Sequence, residues 1–394
     1  MDLILPMKKI VYVIKSFANK AGTERVMSDK MNYLAEHGYD VTMITYEQGN
    51  HPFAFPLHPS IHHIDLNIRF FEIEKYGMLK HLYLLIHLRK MFRSRLQFIV
   101  DGLHPDIMVA TTYSIKILDI ILSINTDAQR IVESHVACFT IKKSYDYRHH
   151  AFLRVIASVY DRWMLGRVAK ADLLVVLTKG DASDWRIYTK KILVIPNPVT
   201  NYPKSVLPHD GSGHRILCVG RLHEQKGFDL LIDAFAMIAH QCPEWKIDIF
   251  GEGSDKEFLE VKIRNVNLDS RIVINRPTDN IYNEYQHSEF FVLSSRYEGF
   301  ALVMAEAMSC GIPCVAFKCK YGPEEVIDDG DNGVLVENGN VEELAQKILW
   351  MINHVEERLR MGENARVVMR QYELNSIMSN WLSLFEHISP KLAV

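Results

Sequence analysis

The sequence predicts an α/β fold of two domains, each built on a doubly wound parallel sheet, and three stretches carry that expectation. Residues 290–322, FFVLSSRYEGFALVMAEAMSCGIPCVAFKCKYG, read as strand, loop, helix and strand. An apolar run at 290–293 is followed by a polar break at 294–299, apolar residues at helical spacing over 300–309, a stop at Gly311 and Pro313, and a second apolar run at 314–317. Residues 8–45 repeat the pattern: a strand at 8–15, a polar loop to Gly22, a helix over 23–37, Gly38, and a strand at 41–45. Residues 200–213, rich in Pro, Ser, Gly and Asp, read as a linker between the two halves.

At 394 residues the chain is long enough for two or three sizeable cores, and a composition 48% hydrophobic and 24% charged is ordinary for a globular protein. No apolar run approaches the ~18 residues of a membrane span. The opening MDLILPMKKIVYVIKSF places a short apolar burst before two lysines, the reverse of a signal peptide. Cytoplasmic synthesis without export is therefore expected, with Met7 as an alternative start. Six cysteines, at 138, 218, 242, 310, 314 and 319, lack the paired short spacings of a zinc site and read as buried reduced thiols. The net charge of −3 excludes a strongly basic nucleic-acid binder and hides an asymmetry. Residues 1–200 hold 26 Lys and Arg against 19 Asp and Glu, and the remainder 19 against 29, so the halves are +7 and −10.

In chain order, residues 51–75 are irregular and histidine-rich, a surface loop. Two stretches, 76–100 and 142–170, mix leucines and aromatics with Lys80, Arg89, Lys90, Arg93 and Arg95 in the first and with Phe152, Trp163 and Met164 in the second. Either they lie on an anionic membrane surface or they cover the sheet with solvated basic edges. Further strands are expected at 106–110, 130–132 (running into Glu133, Ser134 and His135), 173–177 and 191–195. The second half opens with a strand at 215–219, then Gly220-Arg221-Leu222-His223-Glu224-Gln225-Lys226-Gly227 and a helix over 228–240. Two cations between a strand and a helix N-terminus make an anion site. Strands follow at 247–251 and 272–274; Gly251-Glu252-Gly253 reads as a tight turn, Asp329-Gly330-Asp331 as a polar turn, and 341–361 and 365–388 as helices.

Glu298 and Glu306 punctuate the central unit. Eight helical steps return Glu306 near Glu298's side of the axis if Glu298 starts the helix. Ionised carboxylates so placed accept hydrogen bonds from sugar hydroxyls; as isolated acids they are helix-start and solvated residues.

With Glu298-Gly299-Phe300, Glu306-Ala307-Met308, Gly311-Ile312-Pro313 and Gly322-Pro323-Glu324-Glu325, the segment resembles the C-terminal signature of family-four retaining glycosyltransferases of the kind used in bacterial surface polysaccharide assembly. The resemblance implies the GT-B fold, two Rossmann-like domains facing across a cleft, and covers nearly the whole chain. It implies an acceptor-side domain over 1–205, a nucleotide-sugar domain over 206–372, and a C-terminal helix over 373–394 that returns toward the first domain. It assigns Glu298 to the donor sugar, Glu306 to the ribose hydroxyls, Arg221, Lys226 and the amides from Gly299 and Phe300 through Ala301 and Leu302 to the diphosphate, and Pro277 and Thr278 to the nucleobase. Gly22 stands in the family's glycine-rich loop, with Ala21 where a second glycine is usual, and His135 is the candidate sugar contact from the first domain.

The implied reaction moves a hexose or N-acetylhexosamine from a UDP-sugar to a glycan or lipid-linked saccharide, with retained configuration. Arg221 and Lys226 would take the place of a metal, so no cofactor and no obligatory metal are expected. The expected location is cytoplasmic, with peripheral contact to the inner face of the membrane as the open alternative. Two competing readings use the same fold: a nucleotide-sugar epimerase or hydrolase, and a noncatalytic sugar-nucleotide-binding subunit.

Overall fold

The computed structural model describes residues 8–142 and 150–387. The chain forms two compact units, one of residues up to Ile195 together with those from Met378 onward, the other Pro196–Ile377. Each is a parallel sheet covered by helices.

The first unit holds seven strands: β1 (Lys9–Ile14), β2 (Asp40–Thr45), β3 (His62–Asp65), β4 (Ile107–Thr111), β5 (Gln129–Ser134), β6 (Leu173–Val176) and β7 (Ile192–Val194). Their order is β3-β2-β1-β4-β5-β6-β7, and every pairing is parallel. Such a sheet is buried on both faces, which is why β1, β4 and β6 are near-continuous apolar runs, Val, Ile and Leu dominating in β1 and β6. Val11, Val13, Ile44, Ala110, Val132 and Val176 point to one face and meet Phe92, Leu96, Leu118 and Met164. The other face carries Ile10, Tyr12, Ile131 and Glu133. From Met378 onward the helix Leu374–His387 packs with this unit: the Trp381 ring takes Lys30 Nζ 3.4 Å from its centroid, and Phe385 lies 6.3 Å from Tyr39.

The second unit holds β8 (Arg215–Val219), β9 (Lys246–Phe250), β10 (Ile272–Asn275), β11 (Phe290–Leu293), β12 (Cys314–Phe317) and β13 (Gly333–Val336), in the order β10-β9-β8-β11-β12-β13, again all parallel. Its core joins Ile216, Ile249, Val292 and Val315 to Leu231 and Phe235 of the helix Phe228–Ile238 and to Leu344 and Ile348 of the helix Val341–Asn353. Each such apolar side chain contributes about 1.5–3 kcal/mol by leaving water.

Several expectations need correction. Residues 51–75 are not all loop: β3 pairs with β2, and Phe70–Lys75 is a short 3-10 helix. The first boundary falls at 195/196 rather than 205/206, because the linker is tied down by the second unit. Val199 N bonds Tyr372 O at 2.7 Å, and Arg366 bonds Pro203 O at 2.7 Å. The second falls at 377/378 rather than 372/373. The helices after 341 break at His354 and at Arg370–Tyr372, not between 361 and 365. Residues 1–7, 143–149 and 388–394, including part of the second basic stretch and the end of the last helix, lie outside the described residues.

Neither alternative for the two basic stretches describes their surface fully. On the helix Met78–Leu103 the buried residues are Phe92, Leu96 and Val100, whereas Leu79, Leu82, Tyr83 and Ile86 form an exposed stripe at helical spacing. On the helix Ala151–Leu165, Phe152, Val155, Ile156, Val159 and Trp163 form a second exposed stripe. The edges are basic, but the outward faces are apolar.

One buried ion pair fixes the second unit: Arg358 Nη2 lies 3.0 Å from Glu289 Oε2, with side-chain exposures of 1% and 5%. Arg358 also donates to the carbonyls of Gly211, Met351 and Ile352. Removing one partner strands a buried charge, so Arg358→Met is expected to cost about 3–5 kcal/mol in urea unfolding. Adding Glu289→Gln is expected to recover part of that loss.

Candidate functional site

In both sheets the strand order reverses once, between β8 and β11 in the second unit and between β1 and β4 in the first. Loops leaving adjacent strands at such a point diverge and leave a crevice at the carboxyl end of the sheet. In the second unit those loops are 220–227 and 294–301, the stretches the sequence singled out.

The two loops are locked together by backbone contact. Gly227 takes the left-handed conformation (φ 63°), and a Cβ there would lie 2.0 Å from Ser294 O. Ser294 Oγ donates back to Lys226 O at 2.9 Å, and Gln225 O accepts from Arg296 N at 2.8 Å. Arg296 makes a two-pronged pair with Asp229 at 2.7 and 2.8 Å. Gln225, which the sequence reading passed over, clamps the site: it accepts from Arg221 Nη2 at 3.3 Å and donates to Tyr297 O at 3.0 Å. Gly251 and Gly253 are required for close approach rather than merely for a turn, since a Cβ on Gly251 would sit 1.9 Å from Gly220 O and one on Gly253 2.3 Å from Leu222 O.

Lys226 Nζ reaches Glu298 Oε1 at 2.7 Å, with side-chain exposures of 13% and 7%, and Ser295 Oγ donates to the same oxygen at 2.6 Å. One of the three ammonium N–H groups is thus used, and two remain for an anion. Arg221 is exposed at the mouth of the loop.

Glu298 lies in the loop, as its polar surroundings suggested, so the condition that would return Glu306 to its side of a common helix axis is not met. The helix runs Leu302–Ser309, and its N-cap is Ala301, a non-glycine residue in the left-handed region (φ 56°, ψ 55°). That conformation costs roughly 1–3 kcal/mol and turns the chain sharply into the helix. Gly299, Phe300, Ala301, Leu302 and Val303 consequently present amides that no hydrogen bond engages among the described residues, a run of donors at the positive end of a helix. Glu306 sits inside that helix, 6% exposed, and accepts from Tyr285 Oη at 3.2 Å. Burial, then the Glu306 charge, pushes the Tyr285 hydroxyl well above its ordinary range, so it stays a donor. Pro277 and Thr278 follow β10, exposed on the same rim but two strands from β8; Thr278 Oγ1 accepts from Asn280 N at 3.1 Å. Asp329-Gly330-Asp331 is a turn, with Asp329 accepting from Leu335 N at 2.8 Å. The cysteines are buried free thiols, and burial pushes Cys310 up to about 12.

In the first unit Gly22 is exposed and opens the helix Gly22–Glu36 without a positive φ. His135 follows β5 and is buried, its side chain 2% exposed, with Nε2 3.0 Å from Glu133 Oε2. The same oxygen meets Lys30 Nζ at 2.7 Å. Burial alone would raise the Glu133 pKa, but Lys30 and His135 outweigh it and hold the carboxyl at about 2. Lys30 and Glu133 escaped the sequence reading as site residues, although a readable signal existed: Glu133 lies two residues from Ile131 on β5 and so shares its covered face.

The architecture is the GT-B class of fold, two Rossmann-like parallel-sheet domains. Residues 204–368 match the family model described as glycosyl transferases group 1. An uncharacterized glycosyltransferase of Haemophilus influenzae is 28% identical over 379 residues, 95% of this chain and 99% of that protein. A poly(ribitol-phosphate) alpha-N-acetylglucosaminyltransferase of Staphylococcus aureus is 31% identical over 230 residues, 57% of this chain but 46% of that protein. Among solved structures, a mutant of S. aureus TarM in complex with fondaparinux, alpha-GlcNAc-glycerol and UDP superposes with a TM-score of 0.74 at 19% identity, covering 96% of this chain and 100% of that one. The chain is thus similar in sequence to glycosyltransferases of group 1, the family model covering its second unit.

Gly227 tests the local geometry. Gly227→Ala forces both a strained φ and a clash with Ser294 O, so a loss of more than about 1 kcal/mol in denaturant unfolding is expected. Wild-type stability in that variant would refute the contact.

Proposed function

We propose that this protein is a retaining transferase that moves a hexose or N-acetylhexosamine from a UDP-sugar to a glycan or lipid-linked saccharide in surface polysaccharide biosynthesis. The observation that carries the reading is the largely buried Lys226–Glu298 pair beside the run of open amides at 299–303, with Arg221 at the mouth. The S. aureus relative is named for transfer of N-acetylglucosamine to a polymer, and the TarM complex contains UDP. Both favour that donor class here.

In this scheme Arg221, the two remaining N–H groups of Lys226 and the amides from Gly299 through Leu302 receive the diphosphate. Their charge stabilises the leaving group as the glycosidic bond breaks, without an obligatory metal. Glu298 accepts from donor sugar hydroxyls, Glu306 from the ribose, and Pro277 and Thr278 lie against the base. In the first unit Gly22 brings backbone to the substrates and His135 contacts the sugar. The acceptor hydroxyl attacks on the face the diphosphate leaves and gives its proton to a departing phosphate oxygen, so configuration is retained.

Calorimetry with UDP-, GDP- and ADP-sugars tests the donor, and UDP-sugars are expected to bind best. Charge-assisted hydrogen bonds are each worth roughly 1.5–3 kcal/mol, so Arg221→Ala with Lys226→Ala is expected to weaken UDP-sugar binding about 100-fold or more. Unchanged affinity would sink the assignment, and rapid release of free sugar without an acceptor would favour a hydrolase.

The exposed stripes support a membrane partner as part of the same proposal. Apolar faces at helical spacing, edged by Lys75, Lys80, Lys90 and Arg93, are suited to lie in the headgroup layer of an anionic bilayer at the inner face of the membrane. Leu79→Glu, Ile86→Glu and Ile156→Glu in one protein are expected to abolish sedimentation with phosphatidylglycerol vesicles. Sedimentation that survives those changes removes the stripes from the proposal.

A further inference from the structure

Lys30, Glu133 and His135 form a chain of contacts almost without water, with side-chain exposures of 2%, 3% and 2%. A buried ion pair of this kind adds little or no stability over apolar side chains of the same volume, so stability alone does not account for it. An ionised carboxylate only accepts, so the 3.0 Å contact with Glu133 Oε2 places the imidazole proton on Nε2. In the neutral ring Nδ1 is then the acceptor, buried and with no partner among the described residues. Tyr12 Oη and the second carboxylate oxygen, Glu133 Oε1, are likewise buried and unmet. Several neighbouring elements contribute groups around the cluster. Tyr12 comes from β1, Glu24 and Lys30 from the helix Gly22–Glu36, and Trp381 caps the Lys30 ammonium from the last helix. Such unmet buried atoms cost free energy until a ligand or water supplies the missing hydrogen bonds.

We propose that Lys30 and Glu133 are positioning residues: Lys30 fixes the Glu133 carboxylate, the carboxylate fixes His135 with Nε2–H turned inward, and Nδ1 is thereby held out as an acceptor for one hydroxyl of the donor sugar. The last step rests on the transferase reading above; the first two do not. The ammonium of Lys30 is the group that lets the carboxylate exist in this dry site. Without it the side chain takes a proton, can donate as well as accept, and no longer dictates which imidazole nitrogen is bare.

The test uses the full chain with 15N-labelled histidine. Long-range proton–nitrogen spectra of the wild type are expected to show His135 with Nε2 protonated and Nδ1 bare. Lys30→Met alone forces the buried Glu133 carboxyl to take up a proton and is expected to lower stability, so the informative variant is Lys30→Met with Glu133→Gln, which removes both charges. It is expected to unfold cooperatively near the wild-type Tm yet to show mixed His135 tautomers, because the glutamine amide both donates and accepts. With UDP-glucose and UDP-N-acetylglucosamine as probes, kcat/KM for UDP release is expected to fall about tenfold or more, while affinity for UDP itself, which lacks the transferred hexose, stays within about twofold. A double variant that keeps the wild-type tautomer, or the wild-type kcat/KM, overturns the proposal. A wild-type protein that turns over neither UDP-sugar overturns the transferase reading and the sugar contact with it, while the tautomer measurement still decides whether Lys30 and Glu133 position the ring.

Discussion

Two pairs of backbones pressed together at the rim of the second sheet set the position of everything chemical in that unit. Gly227 leaves no room for a Cβ against Ser294 O, and Gly251 none against Gly220 O. A parallel ladder brings the carboxyl ends of β8, β9 and β11 to one edge, but it does not decide how loops leaving that edge meet. These contacts do. Once Gly227 is seated, Lys226 is delivered across Gly220, where a Cβ would meet its side chain at 3.1 Å, and onto Glu298. The same constraint makes the loop rigid enough to hold five amides open at the start of the helix Leu302–Ser309, with the strain gathered at Ala301. Strain stored at one residue and donors left open beside it are common features of anion sites, where the ligand supplies what the fold withholds.

Magnitudes separate the roles of the charged pairs. At an effective dielectric near 20, unit charges about 4 Å apart attract by roughly 4 kcal/mol, while bringing each ion out of water costs several. For Lys226 and Glu298, the less deeply buried of the two pairs, the two nearly cancel, and the ammonium keeps two N–H groups beyond the carboxylate among the described residues. Arg358 and Glu289 differ: the guanidinium satisfies three carbonyls besides the carboxylate, and only its buried Nε has no partner among the described residues. Lys30, Glu133 and His135 share the burial of the second pair and the incompleteness of the first. Full desolvation with unmet acceptors is hard to reconcile with a scaffold role.

Much of the fold was legible because parallel strands buried on both faces are short apolar runs bracketed by turn residues. β8, β11 and β12 were read to the residue for that reason. β3 was not, since an edge strand reading His62, His63, Ile64, Asp65 carries no apolar run and owes its conformation to pairing with β2. The break at His354 has neither glycine nor proline to announce it, and the helix after it was misplaced. The candidate site was legible where a signature is local, as at Arg221, Lys226 and Glu298. It was illegible where residues far apart in sequence converge: Lys30 and Glu133 are 103 positions apart, and Gln225 looked like any polar loop residue until its two partners were known.

The exposed stripes show how composition can mislead about surfaces. Read as sequence, residues 76–100 and 142–170 are basic, and charge draws attention first. Folded, the cations divide. Arg89 and Arg167 are consumed by Asp119, at 2.6 and 3.3 Å, and Arg95 by the carbonyl of Leu66, so the basic character turned outward is smaller than the count suggests. What faces outward is Leu79, Leu82, Tyr83 and Ile86 on one helix and Phe152, Val155, Ile156, Val159 and Trp163 on the other. Both helices cover the same face of the first sheet, Phe92 and Leu96 packing beside Met164 and Leu165 in one core. Two apolar stripes on one face exceed the scattered exposure of single hydrophobic residues that an ordinary surface tolerates.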